Sequence, residues 1–294
     1  MRVSEPMMYR NALSGIQRQR EEYGKASEQS STGVRVEHSW DDPAATGLIA
    51  AQNAQKARQS AIETAAGRAE DETVFSDAAL SSVNTALQRA QELAVEMANG
   101  TWSASDRVDA ANEVDQLMQQ VIAQGNARIG DVYVFGGNQT GKPPFDAKGI
   151  YSGDSAVRSV EIAPGVTQSV AVAGDDAFKG VNGGVDLTGV LTAFSNALKA
   201  NNVGGIQTAI DDIAKGISQV SASRSKLGAS ENVFTAAATA AKAASDSAEK
   251  ERSNLQDADV FESSTRLAAA EQALQATITS AAKQLQMPTL ADKL

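Results

Sequence analysis

Cysteine is absent from the chain, which removes disulfides and thiolate metal ligands together. That absence fits a reducing or an extracellular setting, and it spares a chain secreted unfolded one chemical hazard. His38 is the single histidine, so a histidine triad or a zinc site lacks its other members. Aromatic residues make up only 4% of the sequence while alanine is abundant. That balance suits long, thin helical bundles better than one thick globular core. No run approaches the roughly 18 apolar residues that cross a bilayer, so no membrane insertion is expected. Residues 1–24 lack the apolar centre of a secretory signal peptide, since Met7-Met8-Tyr9 is followed at once by Arg10-Asn11. Basic residues are outnumbered, and a net charge of −10 opposes binding to nucleic acid or to anionic membrane surfaces.

Proline is scarce too, and its placement divides the chain. Three of the six prolines (Pro143, Pro144 and Pro164) fall in one central segment, while residues 44–142 and 165–287 have none. The flanking runs carry apolar residues at helical period, and the centre is rich in glycine and β-branched residues. The expected fold is mainly α, a long antiparallel helical bundle or coiled-coil rod built from the N- and C-terminal halves with a small β-rich inserted domain. The expected division has three parts: 1–43 with 256–294 as terminal assembly helices, 44–135 with 185–255 as a helical rod domain, and 136–184 as a surface-exposed β-rich insert.

Tyr9, Leu13, Ile16 and Tyr23 mark one thin stripe of a first helix, which the polar run Ser27–Gly33 is expected to loosen. Asp42 and Pro43 suit the N-cap and first residue of the next helix. From Ile62 through Leu80, Val83, Leu87 and Ala94 to Met97, apolar and small residues recur at 4-3 spacing, the seam of a coiled coil. Asn99-Gly100 stops that helix. Ser105 is the expected cap of a third, antiparallel helix carrying Val108 to Ile129. Asp131–Gly137 reads as a strand, and Val157–Ile162 with Val166–Val172 read as a hairpin about Gly165. Asp186 starts a short helix, and Asn201–Gly205 turns. The longest 4-3 pattern then runs from Ile206 through Arg224, Leu227, Glu231 and Phe234 to Leu255, with the Ile62–Met97 helix as its partner. After Asp257-Ala258-Asp259, Val260, Leu267, Leu274 and Ala281 lie seven apart, joined by Ile278 and Leu285. Pro288 ends that helix, and Leu290 and Leu294 close the chain.

The terminal stripes (Tyr9, Leu13, Ile16, Tyr23, Leu267, Leu274, Ile278, Leu285 and Leu290) are the candidate assembly contacts. Two readings stand. Either the first and last helices pack on each other within a monomer, or they fold only against neighbouring subunits. Short helices are marginal alone, which favours the second.

Apparent chemistry elsewhere has simpler readings. Gly136-Gly137-Asn138-Gln139-Thr140-Gly141-Lys142 matches the opening of a phosphate-binding loop, but Pro143-Pro144 follow where Ser or Thr should reach a metal. A turn is expected there, and also at the acceptor-like Asn138-Gln139-Thr140. Asp175-Asp176 and Asp257/Asp259 have no histidine near them in sequence and read as solvated or capping carboxylates. Trp40, beside His38, and Trp102 read as anchors of loop–helix joins. No catalytic, cofactor-binding or metal residue is assigned, and no enzyme activity is expected.

Ser31-Thr32-Gly33-Val34-Arg35-Val36, followed by Asp41-Asp42-Pro43-Ala44-Ala45, resembles the N-terminal signature of the bacterial flagellin superfamily. Leu255-Gln256-Asp257-Ala258-Asp259 with Leu267, Gln272, Leu274 and Gln275 is similar to that family's closing helix. Thr32 stands where Ser is usual, and Lys293 where an aromatic is common. The central run Tyr133-Val134-Phe135-Gly136-Gly137, then Pro143-Pro144-Phe145-Asp146, Tyr151-Ser152-Gly153-Asp154 and Arg158, resembles one branch, the type 3 hook-associated proteins of the hook–filament junction. The signature residues are thus Gly33, Arg35, Asp41, Asp42, Pro43, Tyr133, Phe135, Gly137, Pro144, Phe145, Asp257 and Asp259.

The resemblance implies a structural adaptor of the bacterial flagellum. Such a protein is exported through the flagellar type III secretion channel and forms a junction ring between hook and filament. The implied partners are copies of itself, the first hook–filament junction protein, flagellin, and a cytoplasmic export chaperone on the C-terminal helix. The alternative is flagellin itself, the filament subunit; against it, flagellins rarely carry Pro-Pro-Phe after this strand.

Overall fold

A computed structural model of the chain describes residues 5–285. Its elements run α1 (Glu5–Thr32), α2 (Pro43–Met97), α3 (Ala104–Gly125), β1 (Arg128–Ile129), β2 (Val132–Tyr133), β3 (Ser159–Ala163), β4 (Val166–Ser169), α4 (Leu187–Lys199), α5 (Val203–Gln256) and α6 (Val260–Leu285), with one π-helical turn at Asp175–Lys179. The fold is mainly α, as the patterning implied. Two compact units form, one from Met1–Arg58 with Ala244–Leu294 and one from Gln59–Ala243.

The Gln59–Ala243 unit holds the principal core. The 4-3 seams of α2 and α5 supply Leu80, Leu87, Ile206, Ile213 and Leu227, α3 adds Val114 and Val121, and α4 adds Leu191, Phe194 and Leu198. Within this unit α2 and α5 run antiparallel. Arg224 of α5 donates Nε and Nη2 to the two carboxylate oxygens of Asp77 in α2, at 2.9 and 3.0 Å. The polar break in the α5 seam is therefore a bidentate pair across the helices, the geometry that gives guanidinium–carboxylate contacts their specificity. A second cluster packs Phe234 on Ala66, Ala69 and Val170. There the buried Thr73 hydroxyl donates to the Val170 carbonyl at 2.9 Å, tying the central segment to α2.

Arg107 of α3 is 4% exposed. Its Nε donates to the Met97 carbonyl at 3.1 Å, its Nη2 to the Asn99 carbonyl at 3.0 Å, and its Nη1 to the side-chain oxygen of Asn201. Carbonyls at a helix C-terminus carry partial negative charge, so this guanidinium caps α2 from within the core. Asn201, at φ 53°, occupies the left-handed region that Asn tolerates.

The β structure is slight. β1 and β2 pair antiparallel with Arg128 opposite Tyr133. β3 and β4 pair with Ser159 opposite Ser169, and an irregularity falls between Glu161 and Ala163.

Several sequence expectations need correction. α1 does not loosen at Ser27 but continues to Thr32, because the Ser31 and Thr32 hydroxyls bond back to the Glu28 carbonyl instead of competing with the helix. The chain turns at Gly33, whose φ of 69° places it in the left-handed region. The cap of α3 is Ser103, not Ser105: Ser103 Oγ accepts from the Asp106 amide while the Asp106 carboxylate accepts from the Ser103 amide. Ile129 lies in β1 and is half-exposed rather than helical. The strand read over Asp131–Gly137 stops at Tyr133, since successive turns follow at Gly136 and Gln139. The Asn201–Gly205 turn is shorter than expected, because α5 already begins at Val203.

Phe178 to Ala empties a fully buried ring site and should cost about 3–5 kcal/mol. Phe261 to Ala, at a ring 84% exposed, should change stability by no more than about 0.5 kcal/mol. Urea denaturation of the two variants against wild type measures both.

Candidate assembly site

The terminal unit pairs α1 with α6, but few large side chains are buried between them. In this unit the buried apolar residues, among those described, are Ala26, Val36, Ala45, Ile49, Ala248 and Ala281. Of the predicted contacts, Tyr9 is 56%, Leu13 45% and Ile278 44% exposed. Ile16, Tyr23, Leu267 and Leu274 are half-buried. Leu285 closes α6, and its side chain and Leu290 lie outside the described residues. Val260 and Phe261 begin α6 at 75% and 84% exposure, whereas Ser263 is 6% exposed. The seven-residue series thus turns onto the packed face only progressively, from exposed Val260 through half-buried Leu267 and Leu274 to buried Ala281, because a straight helix drifts about 20° per heptad. The pairing is not tight at Gly15, where a Cβ would meet Thr277 Cγ2 at an ordinary contact distance of 3.8 Å. An open groove of about 420 Å³ lies along this line, edged by Asn11, Ala12, Gly15, Ala276, Thr277 and Ser280.

The signature residues of the termini build the crossing where α1 passes to α2 and α5 to α6. The Arg35 and Val36 amides donate to the Gln256 carbonyl at 2.7 and 3.1 Å, and the Ala258 amide donates to the Gly33 carbonyl at 2.8 Å. Val34 pairs with Asp257 as an isolated antiparallel bridge. The Arg35 side chain reaches the Leu255 carbonyl at 2.5 Å and Asp42 Oδ2 at 3.3 Å. One guanidinium therefore joins the carbonyl end of α5 to the N-cap of α2. Asp42 accepts from the Ala45 amide at 3.0 Å, and Pro43 opens the helix. Asp41 accepts from the His38 amide and from Lys25. Both carboxyls are held below the ordinary carboxylate range, Asp41 chiefly by the His38 amide and then Lys25, Asp42 chiefly by the Ala45 amide and then Arg35. Asp259 caps α6 through the Phe261 and Glu262 amides at 2.8 and 3.1 Å. His38 stacks on Trp40 with ring centroids 4.4 Å apart.

The central signature is a packing device of the other unit. Phe135, 0% exposed, meets Phe178 edge-on at 5.1 Å, and Phe145 packs against Phe178 and Tyr151. Tyr133 forms β2, and the Pro144 carbonyl accepts from the Ser152 amide at 2.8 Å. Asn126 clamps Phe145 with two reciprocal 2.9 Å hydrogen bonds. Gly137 has φ 68°, and a Cβ there would lie 2.0 Å from Asp154 Oδ1. The next amide, of Asn138, donates to that oxygen at 3.0 Å. The loop that resembles a phosphate cradle is thus occupied by the protein's own carboxylate. Tyr151 donates to the Phe135 carbonyl at 2.9 Å, and its hydroxyl is pushed up to about 12, mainly by burial and then by Asp175 and Asp154. Asn126 and Arg107 carried no recognisable sequence signal, and Asp154 stood in the central resemblance without a readable role, because each acts through residues outside its own local motif. Among the described residues no acidic or histidine cluster fits a metal, and no helix is long and apolar enough to cross a membrane.

Residues 3–140 match the bacterial flagellin N-terminal helical region, and residues 210–290 the bacterial flagellin C-terminal helical region. Flagellar hook-associated protein 3 of Salmonella typhimurium is 33% identical over 183 residues, covering 62% of this chain and 58% of the relative. The protein of the same name from Escherichia coli is 32% identical with the same coverage. The chain thus spans 58% of the length of these two curated relatives. A flagellin of Halalkalibacterium halodurans is 27% identical, with 89% of each chain covered. Among solved structures, flagellar hook associated protein-3 from Legionella pneumophila superposes with a TM-score of 0.63 at 14% identity, covering 70% of this chain and 98% of that one. Bacillus cereus FlgL gives a TM-score of 0.57 at 17% identity, covering 68% and 96%. These superpositions establish a shared fold.

Within the terminal unit, Glu249 of α5 receives Arg252 at 2.8 Å and Lys56 of α2 at 2.9 Å. Arg252 first and Lys56 second hold its carboxyl down to about 2, from an ordinary 4.5. A depressed folded-state value stabilises above the unfolded one. The contribution is complete above pH 4.5 and disappears as pH falls toward about 2. Glu249 to Gln should flatten the pH dependence of thermal melting across that interval, and an unchanged slope would show that the pair does not matter.

Proposed function

We propose that this chain, which belongs to the flagellin superfamily, is a structural, non-enzymatic subunit of the bacterial flagellum that joins hook to filament in a junction ring. The observation that carries the reading is the α1–α6 pairing, which buries mostly small residues and leaves Tyr9, Leu13 and Ile278 about half exposed. Such helices gain their missing burial from neighbouring subunits, by coupled folding. The 33% and 32% identical relatives named flagellar hook-associated protein 3 favour the junction as the place of assembly.

In this reading residues 1–43 and 256–294 are the assembly helices, 44–135 with 185–255 the rod, and 136–184 an outward-facing insert. The partners are copies of itself, the first junction protein and flagellin. Before export through the type III channel, a cytoplasmic chaperone holds the C-terminal helix. The second reading is a flagellin, favoured by the 89% mutual coverage with the Halalkalibacterium halodurans protein.

Two experiments test the proposal. Immunogold electron microscopy of detached flagella, with an antibody to residues 145–180, should give one band at the hook–filament boundary; labelling along the whole filament would favour the flagellin reading. Leu274 to Ala should reduce incorporation into flagella several-fold while shifting the monomer's melting little. Normal incorporation of a destabilised monomer would contradict the assembly role of this stripe.

A further inference from the structure

The sequence contains two Asn-Gly dipeptides, Asn99-Gly100 and Asn182-Gly183. Both asparagines are exposed, so access does not distinguish them. Their hydrogen bonding does. The Asn99 carbonyl accepts from Arg107 Nη2 at 3.0 Å and from the Trp102 amide at 3.4 Å. Donors on that oxygen draw electron density from the Asn99–Gly100 peptide and acidify its N–H. That N–H finds no acceptor among the described residues, so its nitrogen is free to react. The Asn99 side-chain oxygen accepts from the Thr101 amide at 3.3 Å, which places a donor on the atom where charge develops when the side-chain carbonyl is attacked.

Asn182 differs at the following amide and at the side chain. The Gly183 amide is committed to the Gly180 carbonyl at 3.1 Å. The Asn182 amide nitrogen donates to Asp176 Oδ1 at 3.1 Å, which restrains the side chain and sets a carboxylate against developing negative charge.

We propose that Asn99-Gly100 is a built site of spontaneous deamidation, with the Arg107 guanidinium and the Thr101 amide promoting the reaction. The Gly100 nitrogen loses its proton to solvent and bonds to Asn99 Cγ, moving charge onto Oδ1. The Cγ–Nδ2 bond then breaks, and the side-chain nitrogen takes up a proton and leaves as ammonia. Water opens the resulting succinimide at either carbonyl, giving aspartate or isoaspartate. One water is consumed and one ammonia released, with no other reactant. In isoaspartate the main chain runs through Cβ and Cγ, one methylene longer, and the carbonyl that Arg107 holds becomes a free α-carboxylate outside the main chain, so the product form should melt at a lower temperature.

The test is peptide mapping by mass spectrometry, with isoaspartate resolved chromatographically, after incubation of the full chain in mildly alkaline buffer, folded and in denaturing urea. Folded protein should convert Asn99 at least about tenfold faster than Asn182, a threshold set below the roughly 100-fold or more that one well-placed oxyanion donor contributes. In urea the two rates should converge. Equal folded rates, faster conversion at Asn182, or an Asn99 rate lower in folded protein than in urea would overturn the proposal. Arg107 to Lys removes the forked contact; if it folds, the Asn99 rate should fall toward its urea value with Asn182 unchanged, and an unaltered rate would also overturn it. Should that variant fail to fold, the wild-type comparison decides alone.

Discussion

A shortage of large apolar side chains, and their unequal distribution, governs this structure. Five of the seven phenylalanines (Phe135, Phe145, Phe178, Phe194 and Phe234) are buried in the Gln59–Ala243 unit. Each such ring gains roughly 1.5–3 kcal/mol on leaving water, against backbone ordering that costs about 1–2 kcal/mol per residue. The Gln59–Ala243 unit sets a large buried apolar core against that cost. The terminal unit, whose largest buried side chains among those described are Val36 and Ile49, meets it poorly. Tertiary packing normally supplies most helical stability, and within the monomer α1 and α6 supply each other little of it.

Arginine solves the same problem at the C-terminal end of each long helix. α2 ends on the Met97 carbonyl, held by Arg107, and α5 ends near the Leu255 carbonyl, held by Arg35. Each guanidinium also reaches a second element, Arg107 at Asn201 and Arg35 at Asp42. A helix terminus is thereby fixed to the start of the next segment without a large apolar contact, which suits a chain poor in them. The same arrangement leaves Arg107 bonded to the Asn99–Gly100 peptide, so a stabilising cap and a chemically labile turn share one group.

Much of the helical fold was legible because it is periodic. The 4-3 seams of α2 and α5 appear as core positions, Asp42 and Asp186 cap as their residue types suggest, and Arg224 in the seam finds Asp77. What was not legible depends on contacts between distant residues. Asn126 clamps Phe145 from 19 positions away, and Arg35 meets Leu255 across 220. The central signature could be recognised as a motif, but its physical role, an aromatic cluster and a carboxylate-filled turn, emerges only when Asp154 and Tyr151 are placed beside it. Local rules failed where side chains did something other than their average: Ser31 and Thr32 prolong α1, and Val260 starts α6 facing solvent.

In the function proposed, neighbouring subunits complete the terminal helices while the Gln59–Ala243 unit stands on its own core. Hydrogen exchange on the isolated chain and on assembled flagella tests it most directly. Fast amide exchange is expected in α1 and α6 of the isolated chain, strong protection of both after assembly, and slow exchange in the α2–α5 core of Gln59–Ala243 in either state. Protection of α1 and α6 in the isolated chain equal to that of this core would contradict it.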